Sequence, residues 1–293
     1  MSKIASSELI INDDGSIYHL NIKPEQLAKD IIFVGDPDRV DGVTKYFDSI
    51  EFSLQKREFK TTTGSYRGKR ISVVSTGIGT DNIDIVLNEL DALVNIDFDT
   101  REVKSKLTSL NIVRIGTSGS LQKDIPVDSF LISTHGLGLD GMIHAYLNDK
   151  ILDTDISNAF IEFTGWNLRR GTPYVVEGNP KLIQNFYQEG KTHTGITATA
   201  NGFYGPQGRK LRLELDQNDL NQKIDHFQYQ NHRVTNLEME TAAIYGLSAL
   251  LGHKACSMNA LLANRATGEF SRDYQKTVDS LIQYTLERFL TIE

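Results

Sequence analysis

The stretch Ile112–Ser120, IVRIGTSGS, decides the fold class of this 293-residue chain. It opens with β-branched apolar residues, which are typical of a buried strand, and its glycines permit a tight turn afterwards. Ile31–Gly35 (IIFVG) and Ile71–Gly77 (ISVVSTG) have the same form. We expect all three to be buried strands that run into loops, and Phe130–Ser133 and Ala255–Ala263 predict similar strands.

Helical patterns alternate with these strands. Apolar residues recur every three or four positions over Asn82–Val94, Leu237–Leu251 and Tyr274–Leu290, which predicts three helices with one buried face each. Strands that alternate with helices predict an α/β fold with a mixed central sheet between two helical layers. No linker marks a boundary, so we expect one domain over residues 1–293, with residues 1–16 as a peripheral N-terminal arm.

Composition narrows the classes of partner. The net charge of −7 and the absence of a Lys/Arg run argue against a nucleic-acid-binding protein. No apolar run is long enough to span a bilayer and the N-terminus does not resemble a signal peptide, so we expect no membrane contact and a cytoplasmic protein. The single cysteine, Cys256, suits a reducing compartment and is expected to be buried.

Two stretches contain an arginine beside a glycine at a strand end, an arrangement that suits an anion. Arg114 interrupts a buried strand, so it either pairs with a buried carboxylate or binds phosphate together with Thr117 and nearby amides. Gly35 and Arg39 follow another strand, and this pair fits either a phosphate site or a surface turn. The glycine-rich Ser75–Asn82 does not complete a dinucleotide-binding motif, because Asn82 replaces the third glycine.

Two further stretches carry groups suited to a nucleoside. The carboxylates of Glu238 and Glu240 flank Met239; they either complement a helix dipole or accept hydrogen bonds from sugar hydroxyls. Phe203–Arg209, FYGPQGR, offers a stacking ring, an amide and a guanidinium that match a uracil ring and its polar edge, although the same residues also suit a surface turn.

In this order, Gly35–Arg39, Arg114–Thr117 and Glu238–Glu240 resemble the hexameric-type nucleoside phosphorylase family, over roughly Ser16–Leu290. Phe203–Arg209 resembles the uridine phosphorylase branch of that family. Purine-specific members carry an aspartate in a loop after a late strand, where this chain has Leu261–Arg265, LLANR, with no aspartate.

The resemblance implies a role for each matching residue. The phosphate-binding residues would be Gly35, Arg39, Arg57, Arg114 and Thr117, with Arg57 reaching a neighbouring subunit. The ribose-binding residues would be His19, Glu238, Met239 and Glu240, with His19 crossing the same interface. The base-binding residues would be Gly119, Phe203, Gln207 and Arg209, of which Gln207 and Arg209 would be catalytic by stabilising the leaving group.

The resemblance also implies an enzyme, a pentosyltransferase that splits uridine reversibly with phosphate as co-substrate and no cofactor. Its partners would be nucleoside, phosphate and further copies of itself, in a homodimer with shared sites that assembles to a hexamer. The alternatives are a purine or broad-specificity phosphorylase and a non-catalytic nucleoside or anion sensor. The sequence leaves open the preference among uridine, thymidine and deoxyuridine, dimer against hexamer, a monovalent cation near Glu58, and the behaviour of residues 205–231.

Overall fold

The computed structural model describes residues 3–292. The chain forms two compact units, the first made of residues 3–113 and 251–254 and the second of residues 114–250 and 255–292. One domain over residues 1–293 therefore remains a prediction. None of the helices in residues 3–292 is long and apolar enough to cross a bilayer.

The first unit is a four-stranded sheet with two helices and a small hairpin. Its elements are β1 (Asp30–Val34), α1 (Pro37–Thr44), β2 (Ser49–Lys56), β3 (Phe59–Tyr66), β4 (Lys69–Ser75), α2 (Thr80–Asn95), β5 (Ile96–Asp97) and β6 (Glu102–Val103). Strands β1 and β4 pair in parallel, with Val34 opposite Ser75, so the chain leaves both strands at the same edge. This brings the backbone of Gly35 close to that of Gly77, whose carbonyl oxygen lies 3.8 Å from a Cβ built on Gly35.

The N-terminal arm packs on this unit. Leu9 is buried, and the Arg101 guanidinium donates to the carbonyl oxygens of Ile4 and Leu9. Residues 1 and 2 of the predicted peripheral arm lie outside the described part of the chain.

The second unit contains the longest strands. Its elements are β7 (Asn111–Ser120), β8 (Phe130–Gly138), α3 (Thr154–Thr164), β9 (Tyr174–Glu177), α4 (Pro180–Phe186), β10 (Thr192–Thr199), α5 (Leu220–His226), β11 (Gln228–Tyr229), β12 (His232–Glu238), α6 (Thr241–Leu251), β13 (Lys254–Asn264), β14 (Glu269–Phe270) and α7 (Tyr274–Phe289). The first three residues of β7, the last residue of α6 and the first residue of β13 belong to the first unit. Helices α3 and α5 contribute to an apolar core on the sheet that includes Phe160, Trp166 and Phe227.

Five strands of this unit close on themselves. Their order is β12-β10-β8-β13-β7, and β7 pairs again with β12 through Ser120 opposite Asn236 and Gly119 opposite Leu237. Strand β10 is parallel to both β8 and β12, whereas β13 runs antiparallel to β8. The predicted mixed sheet is confirmed, and its closure places the end of β7 beside the end of β12.

Most of the predicted elements are confirmed, and two boundaries were wrong. The glycine- and hydroxyl-rich residues 117–120 continue β7 instead of forming a loop, because the end of the strand finds a partner in β12. The helix predicted from Leu237 begins at Thr241, because Leu237 and Glu238 pair with β10 as the end of β12.

Candidate active site

Arg114 lies at the centre of a buried cluster in the second unit. Only 6% of it is exposed. Its Nη2 lies 2.5 Å from Glu240 Oε2 and 3.2 Å from Glu238 Oε2, and its Nη1 donates to Asn259 Oδ1 at 3.2 Å. Burial acts to lower the pKa of Arg114, but the charges of Glu238 and Glu240 outweigh it and raise the pKa above its ordinary value. The guanidinium is therefore a fixed positive charge.

Gly116 makes room for that guanidinium. A Cβ at this position would lie 1.6 Å from Arg114 Nη1. The side chain of Arg114 thus folds back over its own strand, which only a glycine two residues on allows. This contact explains the glycine of the sequence motif, and the two carboxylates explain the buried arginine.

The two carboxylates have different surroundings. Glu238 accepts hydrogen bonds from the backbone N–H groups of Glu240 and Thr241 and from Thr199 Oγ1 at 2.7 Å, so it caps the start of α6 as the helix-dipole alternative supposed. Glu240 is paired with Arg114, and Met239 between them is half-buried. The arrangement can hold a polar ligand beside Glu240 and an apolar surface at Met239.

The end of β7 is the partly open side of this region. Thr117, Ser118 and Gly119 are half-buried, whereas the preceding part of the strand is buried. Asn236 Nδ2 donates to Ser118 Oγ at 2.9 Å. Backbone and hydroxyl groups of β7 are therefore accessible next to the Arg114 cluster.

A second cluster forms around Gln207. Arg209 Nη1 donates to the Phe203 carbonyl at 2.7 Å and to Gln207 Oε1, and its guanidinium carbon lies 3.9 Å from the centre of the Phe203 ring. Gln207 is buried, but Phe203 is half exposed. The structure thus brings together the predicted stacking ring, amide and guanidinium, with Arg209 covering one face of the ring.

Arg265 completes this cluster. Its Nη2 donates to the Gln207 carbonyl at 2.9 Å, and its side chain packs at Gly119. Its Nη1 is buried with no hydrogen-bond partner among residues 3–292. Burial, followed by repulsion from Arg209, lowers the pKa of Arg265 to about 10. Two neighbouring guanidinium groups that repel each other suit a ligand that carries negative charge.

The remaining predicted residues lie in the first unit. Gly35 and Arg39 are half-buried at the start of α1, and Arg57 is exposed at the turn between β2 and β3 with a φ of 56°. Glu58 is half-buried beside Gly77. No group of three or more His, Cys, Asp or Glu side chains in residues 3–292 could hold a metal ion, and a monovalent cation near Glu58 stays a prediction.

His19 is held by a residue that the sequence did not indicate. Its Nδ1 lies 2.7 Å from Glu89 Oε1, and Glu89 also accepts from the backbone N–H groups of His19 and Leu20. A carboxylate at Nδ1 favours a proton on that nitrogen and fixes the orientation of the ring. Glu89 and Asn259 gave no sequence signal, because neither stands in a recognisable motif.

The protein's family follows from this fold and from comparison with known proteins. Residues 29–291 match the model of the phosphorylase superfamily, and the chain belongs to that family. Within it the chain is one of the nucleoside phosphorylases, which are pentosyltransferases.

Particular relatives carry both pyrimidine and purine names. The chain is 30% identical over 279 residues to a uridine phosphorylase of Thermococcus kodakarensis, covering 94% of this chain and 87% of that protein. It is 26% identical over 282 residues to a DeoD-type purine nucleoside phosphorylase of a Geobacillus species, covering 94% and 98%. A Trypanosoma brucei nucleoside phosphorylase, described as showing uridine phosphorylase activity, matches with a TM-score of 0.88 and 29% identity over 97% of this chain and 100% of that one. The resemblance and the nucleoside-phosphorylase fold expected from the sequence are confirmed.

Proposed function

We propose that this chain is a uridine phosphorylase, which transfers the ribosyl group of uridine to inorganic phosphate and releases uracil. The observation that carries the proposal is the cluster of Gln207, Arg209 and Arg265, in which Arg209 contacts the buried side-chain amide of Gln207 and Arg265 contacts the backbone carbonyl of the same residue. Uracil leaves the sugar as an anion unless it is protonated. A site with two neighbouring cations suits that leaving group.

The base side of the proposed site uses polar recognition. Gln207 is buried, so its amide is shielded from water and can discriminate strongly between a matching and a mismatched base edge. Arg265 Nη1 is a buried donor that a carbonyl oxygen could satisfy. Phe203, half exposed, would stack on the base once Arg209 turns from the ring to the leaving group.

The ribose and phosphate sides use the remaining predicted residues. Glu240 and Met239 would hold the sugar, with Glu238 securing the helix on which Glu240 depends and His19 supplied by a neighbouring subunit. As the resemblance implies, Gly35, Arg39, Arg114, Thr117 and a neighbour's Arg57 would bind phosphate. The proposal thus includes a homodimer with shared sites, assembling to a hexamer in the cytoplasm, with no cofactor.

The proposed reaction is a displacement at C1′ with charge separation. A phosphate oxygen forms a bond to C1′ while the C1′–N1 bond breaks, and the electron pair of that bond leaves with the base. Phosphate stabilises the positive sugar, and Arg209 and Gln207 stabilise the negative base. Loss of one such donor typically costs about a hundredfold to a thousandfold in kcat.

The test is ultraviolet-monitored cleavage of uridine, thymidine, inosine and adenosine, each with and without phosphate. We expect phosphate-dependent cleavage of uridine and a hundredfold or larger fall in kcat for Arg209→Ala, against little change for Arg212→Ala, an exposed arginine of the same segment. Cleavage of purines would favour a purine or broad-specificity enzyme, as the 26% identical relatives allow. Cleavage without phosphate would make the chain a hydrolase, and no cleavage would favour a sensor.

A further inference from the structure

A series of side-chain hydrogen bonds starts at Arg114 and crosses the sheet of the second unit. Its four middle residues belong to none of the predicted binding sets, and each is fully buried. The members in order are Arg114, Asn259, Ser133, Thr197, Asn236 and Ser118. This hydrogen-bond series therefore begins at Arg114, a proposed phosphate-binding residue, and ends at the half-buried end of β7.

The first contacts fix the orientation of Asn259. Its Oδ1 accepts from Arg114 Nη1 at 3.2 Å, and its Nδ2 lies 3.4 Å from both Ser133 Oγ and Ser257 Oγ. A guanidinium can only donate, so the amide oxygen has to face Arg114 and the amide nitrogen has to face the two hydroxyl groups.

The remaining contacts give all the hydrogen bonds of the series the same donor-to-acceptor direction. Thr197 Oγ1 donates to Asn236 Oδ1 at 2.7 Å, which uses the only hydroxyl proton of Thr197. Ser133, 2.5 Å from Thr197, must therefore be the donor of that pair. Asn236 Nδ2 then donates to Ser118. Every donor in the series points from Arg114 towards Ser118, so Asn259 cannot reverse without breaking the bonds beyond it.

We propose that Asn259 is a positioning residue for phosphorolysis, which holds the Arg114 guanidinium in the orientation that meets phosphate; this rests on the proposed function. Two carboxylates draw Nη2 of Arg114 to one side, and Asn259 is the acceptor for Nη1. Without it, the guanidinium is free to turn Nη1 towards Glu240 as well. Both terminal nitrogens of Arg114 would then donate to the carboxylates, and neither would be directed at phosphate.

The neutral charge of Asn259 matters as much as its shape. Arg114, Glu238 and Glu240 together already carry one excess negative charge when both carboxylates are ionised. A further carboxylate in place of the Asn259 amide would repel a phosphate dianion bound at Arg114. An amide fixes Nη1 without adding that charge.

The experiment measures phosphate and nucleoside separately. Isothermal titration with inorganic phosphate gives the phosphate Kd, and initial rates give the KM for uridine, for the wild type, Asn259→Leu and Asn259→Asp. The matched control is Ser248→Ala, since the Ser248 hydroxyl is also buried but has no hydrogen-bond partner among residues 3–292.

Asn259→Leu should raise the phosphate Kd about 10-fold or more, as expected for loss of a hydrogen bond to a charged group, while the uridine KM stays within about twofold. Asn259→Asp, which keeps the shape, should also weaken phosphate binding through its charge and serves if the leucine variant does not fold. Ser248→Ala should leave both constants unchanged.

Three results would overturn the inference. A wild type that does not bind phosphate removes the proposed function and the role of Asn259 together. A wild type that binds phosphate, with variants of unchanged phosphate Kd, removes only the role of Asn259. Phosphate Kd and uridine KM that rise by one common factor indicate a general structural effect and also reject positioning.

Discussion

Replacing Gly116 by alanine adds a single methyl group against the buried guanidinium of Arg114. Arg114 Nη1 lies 1.6 Å from the position of the new Cβ, and Cζ lies 2.4 Å from it. The guanidinium must therefore move by about 1.4 Å before its contact becomes possible at all. The φ angle of Gly116 is not in the left-handed region, so the alanine backbone is unstrained and the effect comes from Arg114 alone.

The expected magnitude follows from the bonds that this movement breaks. Nη1 would leave Asn259 and Nη2 would leave Glu240, and a hydrogen bond to a charged group contributes about 1.5–3 kcal/mol. Separating a buried ion pair costs about 3–5 kcal/mol when one partner is removed. Because the arginine remains and can form new contacts, we expect Gly116→Ala to lower the free energy of unfolding by about 3 kcal/mol.

Urea unfolding followed by circular dichroism measures this loss. Gly205→Ala is the matched control, since the nearest atom to its new Cβ is 3.9 Å away, and it should stay within about 1 kcal/mol of the wild type. If Gly116→Ala were as stable as this control, Arg114 would not be held as described, and the reasoning about its partners would fail.

Two further outcomes concern buried titratable groups. Burial, and next the neighbouring His232, lower the pKa of His135 from 6.5 to about 4, so the native state keeps this ring neutral while the unfolded chain takes up a proton as the pH falls from about 6.5 to about 4. The free energy of unfolding thus falls by up to about 3 kcal/mol between pH 6.5 and pH 4. Urea unfolding at pH 7.5, 5.5 and 4 should show a smaller fall for His135→Gln than for the wild type. Equal falls in the two proteins would contradict His135 as the origin. Burial raises the pKa of the Cys256 thiol, so a thiol reagent at pH 8 should label it only after denaturation, and rapid labelling of the native protein would show that the thiol is accessible.

Much of the fold could be predicted because its signals are local. Apolar β-branched runs predicted β1, β4 and β7, and the periodic stretch before Val94 predicted α2. Leu237 and Glu238 were assigned to a helix because the helical spacing of apolar residues was taken to begin at Leu237, and only pairing with β10 shows that these two residues end a strand. Local patterns do not encode such pairing.

The site could be predicted only where a motif carried it. Arg114 gave a signal because a charge inside a buried strand requires an explanation. Asn259 gave none, because an asparagine in a long strand has no meaning until the partner across the sheet is known. Glu89, four residues before a buried leucine on α2, looked like any polar residue of a helix face.

The closed ring of five strands in the second unit has a consequence for which residues can be substituted as sequences diverge. A ring of paired strands fixes every member by two neighbours, so the residues that the ring holds cannot shift singly. The segment from Phe203 to Arg209 lies outside those ladders and makes its contacts through turns and side chains. Substitutions in this segment leave the strand pairing of the ring in place, so under the proposed function the contacts to the base can vary while the scaffold that holds Arg114 is kept.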